Sequence, residues 1–421
     1  MLLRHILSII GIILSAPAVS ADVDGAAGPK PISTGFVAPM AMELPQYLQA
    51  AVDPATGTRF TLITKPGLLG AGIACRKYCS HRYSSAQAWN SDQSLLVISN
   101  GCGGLCFLDG QTYVPLFRRA QSAECEWHPR DPDLMICVGG QEIFTWSPRT
   151  NQRQVLFATE GSVLQFGPYK GNPSRDGNRI AVRAVRRDGK MVVFAFDLAQ
   201  RRKFAEIDLA QIEGVNGACS ISPLGINIVC VQKGDVEQTF VFSVDGHLRQ
   251  KWTEHHRPGH GDMTVDADGC EIYVGISKSD PDKFQVIKRR LADGKVTSLM
   301  RYGEAQHASL RSLGRPGWVF LSYSGDPDEV SKHPAWAPYA REIIALRTDG
   351  SGEIRRIAQT RNAPSDYWSE THASPSPDGS QVVWSSNWGL PGGPVYDFVT
   401  RVGWQRSPDK GGEAGSPNCL Q

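Results

Sequence analysis

The sequence lacks the short motifs of several large enzyme classes. It contains no Gly-x-Ser-x-Gly elbow, no glycine-rich phosphate loop and no dinucleotide-binding glycine fingerprint. Each of these motifs wraps a tight backbone turn around a nucleophile or a phosphate group. Their absence counts against an elbow serine hydrolase, against nucleotide use and against hydride transfer.

The sequence also has little net charge and no apolar run of membrane length. Lys and Arg number 44 against 42 Asp and Glu, and the basic residues form no stripe. No long stretch repeats its apolar residues with the helical period of 3.6. We therefore expect neither a nucleic-acid partner nor a membrane partner, and little helix.

The N-terminus resembles a secretory signal. Arg4 and His5 precede an apolar stretch, Ile6–Leu14, and small residues follow up to Ala21. The stretch is too short for a stable bilayer span. The sequence predicts a signal peptide over residues 1–21 and an exported, periplasmic or extracellular protein.

Ten cysteines agree with an oxidising compartment. Opposed residues of an antiparallel hairpin have a constant index sum, which predicts disulfides Cys125–Cys137 and Cys219–Cys230. Zinc clusters are the alternative, but the spacings suit them poorly. The sequence leaves open the pairing of the other six, which are Cys75, Cys79, Cys102, Cys106, Cys270 and Cys419.

A degenerate hairpin phrase recurs seven times, with most copies about forty to fifty residues apart, as expected of propeller blades. The prediction is an all-β, seven-bladed β-propeller over residues 56–404. Thr58–Thr64 is expected to supply the missing strand of the last blade, so that an N-terminal strand closes the ring. Residues 22–55 are interpreted as a lead-in segment and residues 405–421 as a flexible tail.

Three consecutive repeats begin with a histidine, namely His260, His307 and His372. Their inner strands start on the same rim, so the three side chains are expected to converge at the channel mouth. Imidazoles that converge can bind a divalent cation, and Glu370 would share the face of His372. The alternative is that these histidines make structural hydrogen bonds, as propeller histidines often do.

Further candidates lie on the same rim. Asp262 could orient the imidazole of His260 or cap the strand. The triplet His81, Arg82 and Tyr83 could transfer protons or hold a carboxylate, or it could be a solvated loop. Tyr367 and Trp388 could stack on sugar rings, or they could fill gaps between blades.

Two resemblances follow from these residues. Ser376-Pro377-Asp378-Gly379 followed by Val382-Val383-Trp384-Ser385 resembles the repeat of TolB-type propellers. The order His260, His307 and Glu370-x-His372 is similar to the seven-bladed oligogalacturonate lyases. That resemblance implies His260 as the base, and His307 and His372 as ligands of a manganese-like ion. The cofactor expected for this chain is a divalent cation, manganese-like or calcium-like. Glu370 stands where the family has another histidine. Propeller-type ulvan lyases are a looser relative, to whose His/Tyr pair His81 and Tyr83 correspond.

The resulting expectation is an exported, monomeric lyase. It would act on a uronate-containing oligo- or polysaccharide by metal-assisted β-elimination, with His260 and Asp262 in catalysis. The alternatives are a non-catalytic propeller that binds glycan or protein, and a metal-dependent hydrolase that uses the same ligands. Fold alone cannot choose among them, since propellers host many functions.

Overall fold

The protein is described from a computed structural model. The structure describes residues 35–166, 171–212, 218–231, 237–254, 259–277, 285–301, 303, 305–325, 332, 337–404 and 419. The predicted signal peptide, residues 1–21, lies outside the described residues. So do residues 22–34 of the predicted lead-in segment and the predicted tail apart from Cys419.

The described chain is almost entirely β-structure. Four strands precede the first blade: β1 (Ala50–Val52), β2 (Arg59–Leu62), β3 (Gly67–Gly70) and β4 (Ile73–Cys75). Blade 1 contains β5 (Leu95–Ile98), β6 (Leu105–Asp109) and β7 (Pro115–Arg119). A bridge between Trp89 and Leu96 marks its innermost position.

Blades 2 to 4 are four-stranded antiparallel sheets whose strands pair in chain order. Blade 2 comprises β8 (Glu124–Trp127), β9 (Met135–Gly139), β10 (Glu142–Trp146) and β11 (Arg153–Ala158). Blade 3 comprises β12 (Val163–Phe166), β13 (Arg179–Val185), β14 (Met191–Asp197) and β15 (Arg202–Asp208). Blade 4 comprises β16 (Ala218–Ile221), β17 (Asn227–Val231), β18 (Glu237–Ser243) and β19 (Leu248–Glu254).

Blades 5 and 6 repeat this arrangement. Blade 5 comprises β20 (Gly259–Val265), β21 (Glu271–Ser277), β22 (Gln285–Arg290) and β23 (Val296–Arg301). Blade 6 comprises β24 (Ala305–Ser309), β25 (Trp318–Tyr323), β26 (Glu342–Arg347) and β27 (Ile354–Gln359). Two short 3-10 helices, Leu209–Gln211 and Tyr367–Ser369, lie between blades.

Blade 7 joins the two ends of the propeller. It contains β28 (Ser374–Pro375), β29 (Gln381–Ser386) and β30 (Tyr396–Arg401), and β2 pairs with β30 as its fourth strand. The seven-bladed prediction and the closure by an N-terminal strand are therefore confirmed. β1 adds a fifth strand outside β2, and it lies within the predicted lead-in segment.

The core lies between neighbouring blades, which explains the composition of the middle strands. All six residues of β25 and of β29 are buried. Because a blade is covered on both faces, apolar residues follow one another in such strands, as in Trp318–Leu321 and Val382–Trp384, and do not alternate with polar ones. Phe60, Trp384 and Phe398 belong to one cluster with Trp318 of blade 6. Burying each large apolar side chain contributes about 1.5–3 kcal/mol.

Disulfides join all ten cysteines. Cys125 and Cys137 face each other across β8 and β9 and are bonded, as are Cys219 and Cys230 across β16 and β17. The remaining pairs are Cys75–Cys79, Cys102–Cys106 and Cys270–Cys419. Five disulfides fit an oxidising compartment. Within the described residues, no helix has the length and apolar character needed to cross a membrane.

Candidate metal centre and its surroundings

Irregular backbone marks the points where the three repeat histidines enter the rim. The pairing of β20 with β21 is interrupted around His260, and that of β24 with β25 immediately before His307. His260 and His372 both adopt left-handed conformations, with φ of 54° and 45°. A β-bulge changes the direction in which a side chain points. A non-glycine residue in the left-handed conformation costs about 1–3 kcal/mol, and such residues cluster at functional sites. The backbone at or next to each of the three histidines therefore differs from that of a regular β-strand.

His307, Glu370 and His372 form a compact group of metal-ligating side chains. The Nε2 atoms of His307 and His372 lie 3.2 Å and 3.6 Å from Oε2 of Glu370. One ligand atom from each residue lies within 4.8 Å of the others. His307 is fully buried and His372 nearly so. Two imidazole nitrogens and one carboxylate oxygen at this separation fit a single divalent transition-metal ion.

His260 lies directly against this group. Its ring stacks on that of His307, with centroids 4.6 Å apart and planes 8° from parallel. Its Nδ1 lies 2.7 Å from the carbonyl oxygen of Gln306. A carbonyl oxygen only accepts hydrogen bonds, so Nδ1 carries the proton and the neutral ring has its basic lone pair on Nε2. The exposed side chain of His260 thus brings a basic nitrogen beside the metal-ligating group.

Glu370 is positioned by the short helix Tyr367–Ser369. Asp366 caps that helix by accepting from the Ser369 amide, and the Glu370 amide donates to the Tyr367 carbonyl at its end. Burial, followed by the nearby charge of Asp366, raises the pKa of Glu370 to about 7. The carboxylate form is therefore poorly stabilised by its surroundings, and a cation beside it would favour ionisation.

The aromatic rings of Tyr83 and Tyr367 lie against one side of the metal-ligating group. The ring centroid of Tyr83 lies 5.2 Å from that of His307 and 4.7 Å from that of His372. Tyr83 also stacks on Tyr367 at 6.4 Å, and Tyr367 is 52% exposed. The structure thus brings two of the predicted substrate-binding residues against the predicted ligands.

Arg82 lies nearby but is already paired. Its guanidinium forms an ion pair with Glu126 of β8, whose side chain is almost buried. Burial and the Glu370 carboxylate raise the pKa of Tyr367, whereas the charge of Arg82 lowers it. Arg82 is therefore close enough to act on the rim, and a substrate carboxylate would compete with Glu126 for it.

The structure does not place His81 at the surface where it was expected to bind substrate. Its side chain is buried, with Nδ1 3.0 Å from both carboxylate oxygens of Asp397 and Nε2 2.6 Å from the carbonyl oxygen of His372. Burial lowers the pKa of His81, but the charge and hydrogen bond of Asp397 and the His372 carbonyl raise it overall. Both ring nitrogens are engaged, so His81 is not available as the substrate contact that the sequence predicted.

Asp262 does not orient His260 as predicted. Both of its carboxylate oxygens accept from the Arg311 guanidinium, at 2.8 Å and 2.9 Å. The amides of Met263 and Leu310 occupy the remaining acceptor positions at 2.8 Å each. The carboxylate is saturated and buried, which makes it a structural link between β20 and the end of β24. The predicted catalytic role of Asp262 is not supported.

Trp388 packs against aromatic side chains of the core and is not positioned to stack on a sugar ring. Its ring stacks on Phe398 at 5.2 Å and contacts Phe60 at 6.0 Å, and its indole N–H donates to the carbonyl of Met42. This is the alternative role expected for it, that of filling a gap between blades, because the same cluster includes Trp318 and Phe320 of blade 6. Trp368 is instead an exposed indole on the rim, at 51%.

Sequence reasoning missed two residues of the surroundings, Asp397 and Arg311. Asp397 is a single carboxylate inside the apolar run Val395–Val399. An isolated charge in a buried strand signals a buried partner, because an unpaired charge there would be costly. Arg311 carried no comparable signal, since it follows the end of its strand.

A cavity of about 370 Å³ opens at the other end of the inner strands. Turns of blades 1, 2, 3, 6 and 7 line it, and its polar lining includes His128, Arg175 and Asp378. Charges of both signs line this cavity, and none of the three repeat histidines does. The metal-ligating group therefore belongs to the opposite rim.

Sequence comparison with known proteins finds no relative of this chain. No family model matches the chain, and no curated protein matches it in sequence.

Solved structures resemble it as a whole, among them two oligogalacturonate lyases. One is described as oligogalacturonate lyase in complex with manganese, with a TM-score of 0.59, 14% identity, and coverage of 88% of this chain and 98% of that one. Another is the oligogalacturonate lyase of Vibrio parahaemolyticus, with a TM-score of 0.58, 13% identity, and coverage of 84% and 96%. At such identities the likeness shows that this chain shares the seven-bladed propeller fold of those lyases.

Proposed function

We propose that this protein is an exported lyase that cleaves uronate-containing oligo- or polysaccharides by metal-assisted β-elimination. The observation that carries the proposal is the stacking of His260 on His307, 4.6 Å from ring to ring. This contact puts a basic imidazole beside a group that fits a divalent cation. A base next to a cation is what proton abstraction α to a carboxylate requires.

The donor set narrows the choice of cation. Calcium prefers six to eight oxygen ligands, whereas two of the three side chains here offer imidazole nitrogen. Of the two kinds of ion predicted, the manganese-like one suits His307, Glu370 and His372 better. The solved lyase with the similar fold is itself described in complex with manganese.

The residues support the following chemistry. When bound, the cation would neutralise the C6 carboxylate of a uronate and stabilise the negative charge that develops beside C5. Nε2 of His260 takes the C5 proton, and the electron pair of that bond forms the C4–C5 double bond. The C4–O bond breaks, and its electron pair leaves with the oxygen, which is then protonated. The products are an unsaturated uronate and a shortened glycan.

Three side chains are proposed to hold the sugar. Tyr83 and Tyr367 present ring surface against the histidines, and Tyr367 is half exposed. Arg82 could exchange its ion pair with Glu126 for a uronate carboxylate. Export is supported by the five disulfides and by the signal-like N-terminus.

The test is ultraviolet absorbance during incubation with a panel of uronate polysaccharides and oligosaccharides, with and without chelator. The proposal expects a rise from the unsaturated uronate, which chelator stops and added Mn²⁺ restores. New reducing ends without the rise would indicate a hydrolase. No reaction across the panel, together with measurable glycan binding, would favour a non-catalytic binding propeller.

A further inference from the structure

We propose that His81 and Asp397 form a positioning pair that fixes the main chain at His372 and thereby sets the affinity of the metal-ligating group. This inference rests on the metal site of the proposed function but not on the reaction. It concerns two buried residues that reach the metal-ligating group only through the main-chain carbonyl of His372.

The contacts of His81 define a charged clamp. Its Nε2 lies 2.6 Å from the carbonyl oxygen of His372, and its Nδ1 lies 3.0 Å from each carboxylate oxygen of Asp397. A carbonyl and a carboxylate can only accept, so both ring nitrogens must donate. The bond to the His372 carbonyl is therefore charge-assisted, and such bonds are shorter and stronger than neutral ones.

Asp397 is held from several sides. The His81 amide donates to Oδ2 at 2.6 Å and the Ser385 hydroxyl to Oδ1 at 2.7 Å. The amide of Asp397 donates to the Thr64 hydroxyl, which in turn donates to the carbonyl of Cys79. Asp397 lies on β30 and Thr64 just after β2, so the clamp is anchored where the two ends of the propeller meet.

His372 is the residue that needs such a clamp. Its φ of 45° is unfavourable for a residue with a Cβ, and relaxation toward ordinary values would rotate its carbonyl and redirect its ring. The ring faces Glu370 and His307, with Nε2 3.6 Å from the Glu370 carboxylate. A hydrogen bond that holds the carbonyl therefore also holds the ligand nitrogen.

The experiment measures Mn²⁺ affinity at one pH, from the electron paramagnetic resonance signal of the free aqua ion. His81→Gln removes the ring that bridges Asp397 and His372. Removal of a partner that orients a metal ligand typically weakens affinity about 10–100-fold. We expect a loss of that size in His81→Gln.

Two further variants separate positioning from general destabilisation. Ile180→Ala opens a cavity in the buried core of blade 3, so it should lower stability without changing Mn²⁺ affinity. His81→Gln leaves Asp397 buried without its counter-charge and could fold poorly. The double variant His81→Gln/Asp397→Asn removes both charges, and the inference expects its fold to recover while its Mn²⁺ affinity stays low.

The outcomes are distinguishable from those of the proposed function. Wild-type Mn²⁺ affinity in either His81 variant would overturn the positioning role while leaving the metal site intact. A wild-type protein that binds no Mn²⁺ would overturn both. Mn²⁺ binding that depends on His81, in a protein without lyase activity, would support the inference and count against the reaction.

Discussion

At His260 one hydrogen bond determines which nitrogen can act as a base. The Gln306 carbonyl fixes the proton on Nδ1, so only Nε2 of the neutral ring has a lone pair that can act as a base. The stacked His307 is buried and faces Glu370, so it is placed to bind a cation and not to meet solvent. Neighbouring histidines of equivalent repeats thus have different chemistry because their surroundings differ.

We expect His260→Gln to abolish turnover while the fold remains intact. The glutamine amide can still donate to the Gln306 carbonyl but offers no basic nitrogen. General-base catalysis typically contributes about 10²–10⁴-fold, so kcat should fall at least by that factor. Turnover on a uronate substrate and the thermal midpoint are the two measurements.

The matched control is His247→Gln. His247 is an exposed histidine in the turn between β18 and β19 of blade 4, outside the metal-ligating group. It should leave both kcat and thermal midpoint unchanged. Full activity in His260→Gln would remove the assignment of the base.

For Asp262 we expect an effect on stability. Asp262→Asn leaves the buried guanidinium of Arg311 without its counter-charge, and breaking a buried ion pair in this way costs about 3–5 kcal/mol. Urea unfolding measures the loss. Asp349→Asn removes the carboxylate of the more exposed pair with Arg347 and should cost less than about 1 kcal/mol. An Asp262→Asn variant of normal stability but low kcat would instead favour the catalytic role first predicted for it.

At the level of elements, the stretch before β1 is bound to blades 6 and 7 by its backbone carbonyls. Four side chains donate to it: Arg356 to Gly35, Gln359 to Val37, Arg361 to Met40 and Trp388 to Met42. Phe36 packs beside Ala337 and Ala340. The stretch therefore lies along the blades at the point where the ring closes.

We expect a chain that begins at Glu43 to be less stable but equally active per folded molecule. Four hydrogen bonds at about 0.5–1.5 kcal/mol each contribute about 2–6 kcal/mol, and the two that a guanidinium donates contribute more, so the loss should be at least about 2 kcal/mol. The free energy of unfolding in urea and kcat measure the two effects. A chain that begins at Gly35 keeps all four acceptors and is the control. Equal stability of the two chains would show that these contacts contribute nothing.

Features that depend on neighbouring residues in the sequence could be predicted, whereas those that depend on distant residues could not. The repeats predict the blades, and the constant index sum places Cys125 opposite Cys137, because both patterns are local. The burial of His81 depends on Asp397, 316 residues away, and that of Asp262 on Arg311, 49 residues away. Local patterns carry no information about such partners, so the convergence of the equivalent repeat histidines could be predicted, whereas the partners of His81 and Asp262 could not.

For the whole molecule, the metal-ligating group is a link between blades. His307 belongs to blade 6, whereas Glu370 and His372 lie in the loop that enters blade 7. Blade 7 holds both ends of the propeller, through β2 paired with β30. A cation bound here would tie the closing blade to its neighbour, at the position where a ring of blades is most exposed to opening.

Mn²⁺ should therefore raise the thermal midpoint of the wild-type protein. A ligand that binds only the folded state stabilises by about 2.7 kcal/mol at a hundred times its Kd. Differential scanning calorimetry with and without Mn²⁺ measures the shift, and chelator should reverse it. His307→Ala lowers stability by itself, but it should also lose the Mn²⁺-dependent increase. His128→Ala changes a histidine at the opposite end of the inner strands and should keep that increase. An equal shift in wild type and His307→Ala would mean that Mn²⁺ binds elsewhere, and the link between blades 6 and 7 would then have to be made without a metal.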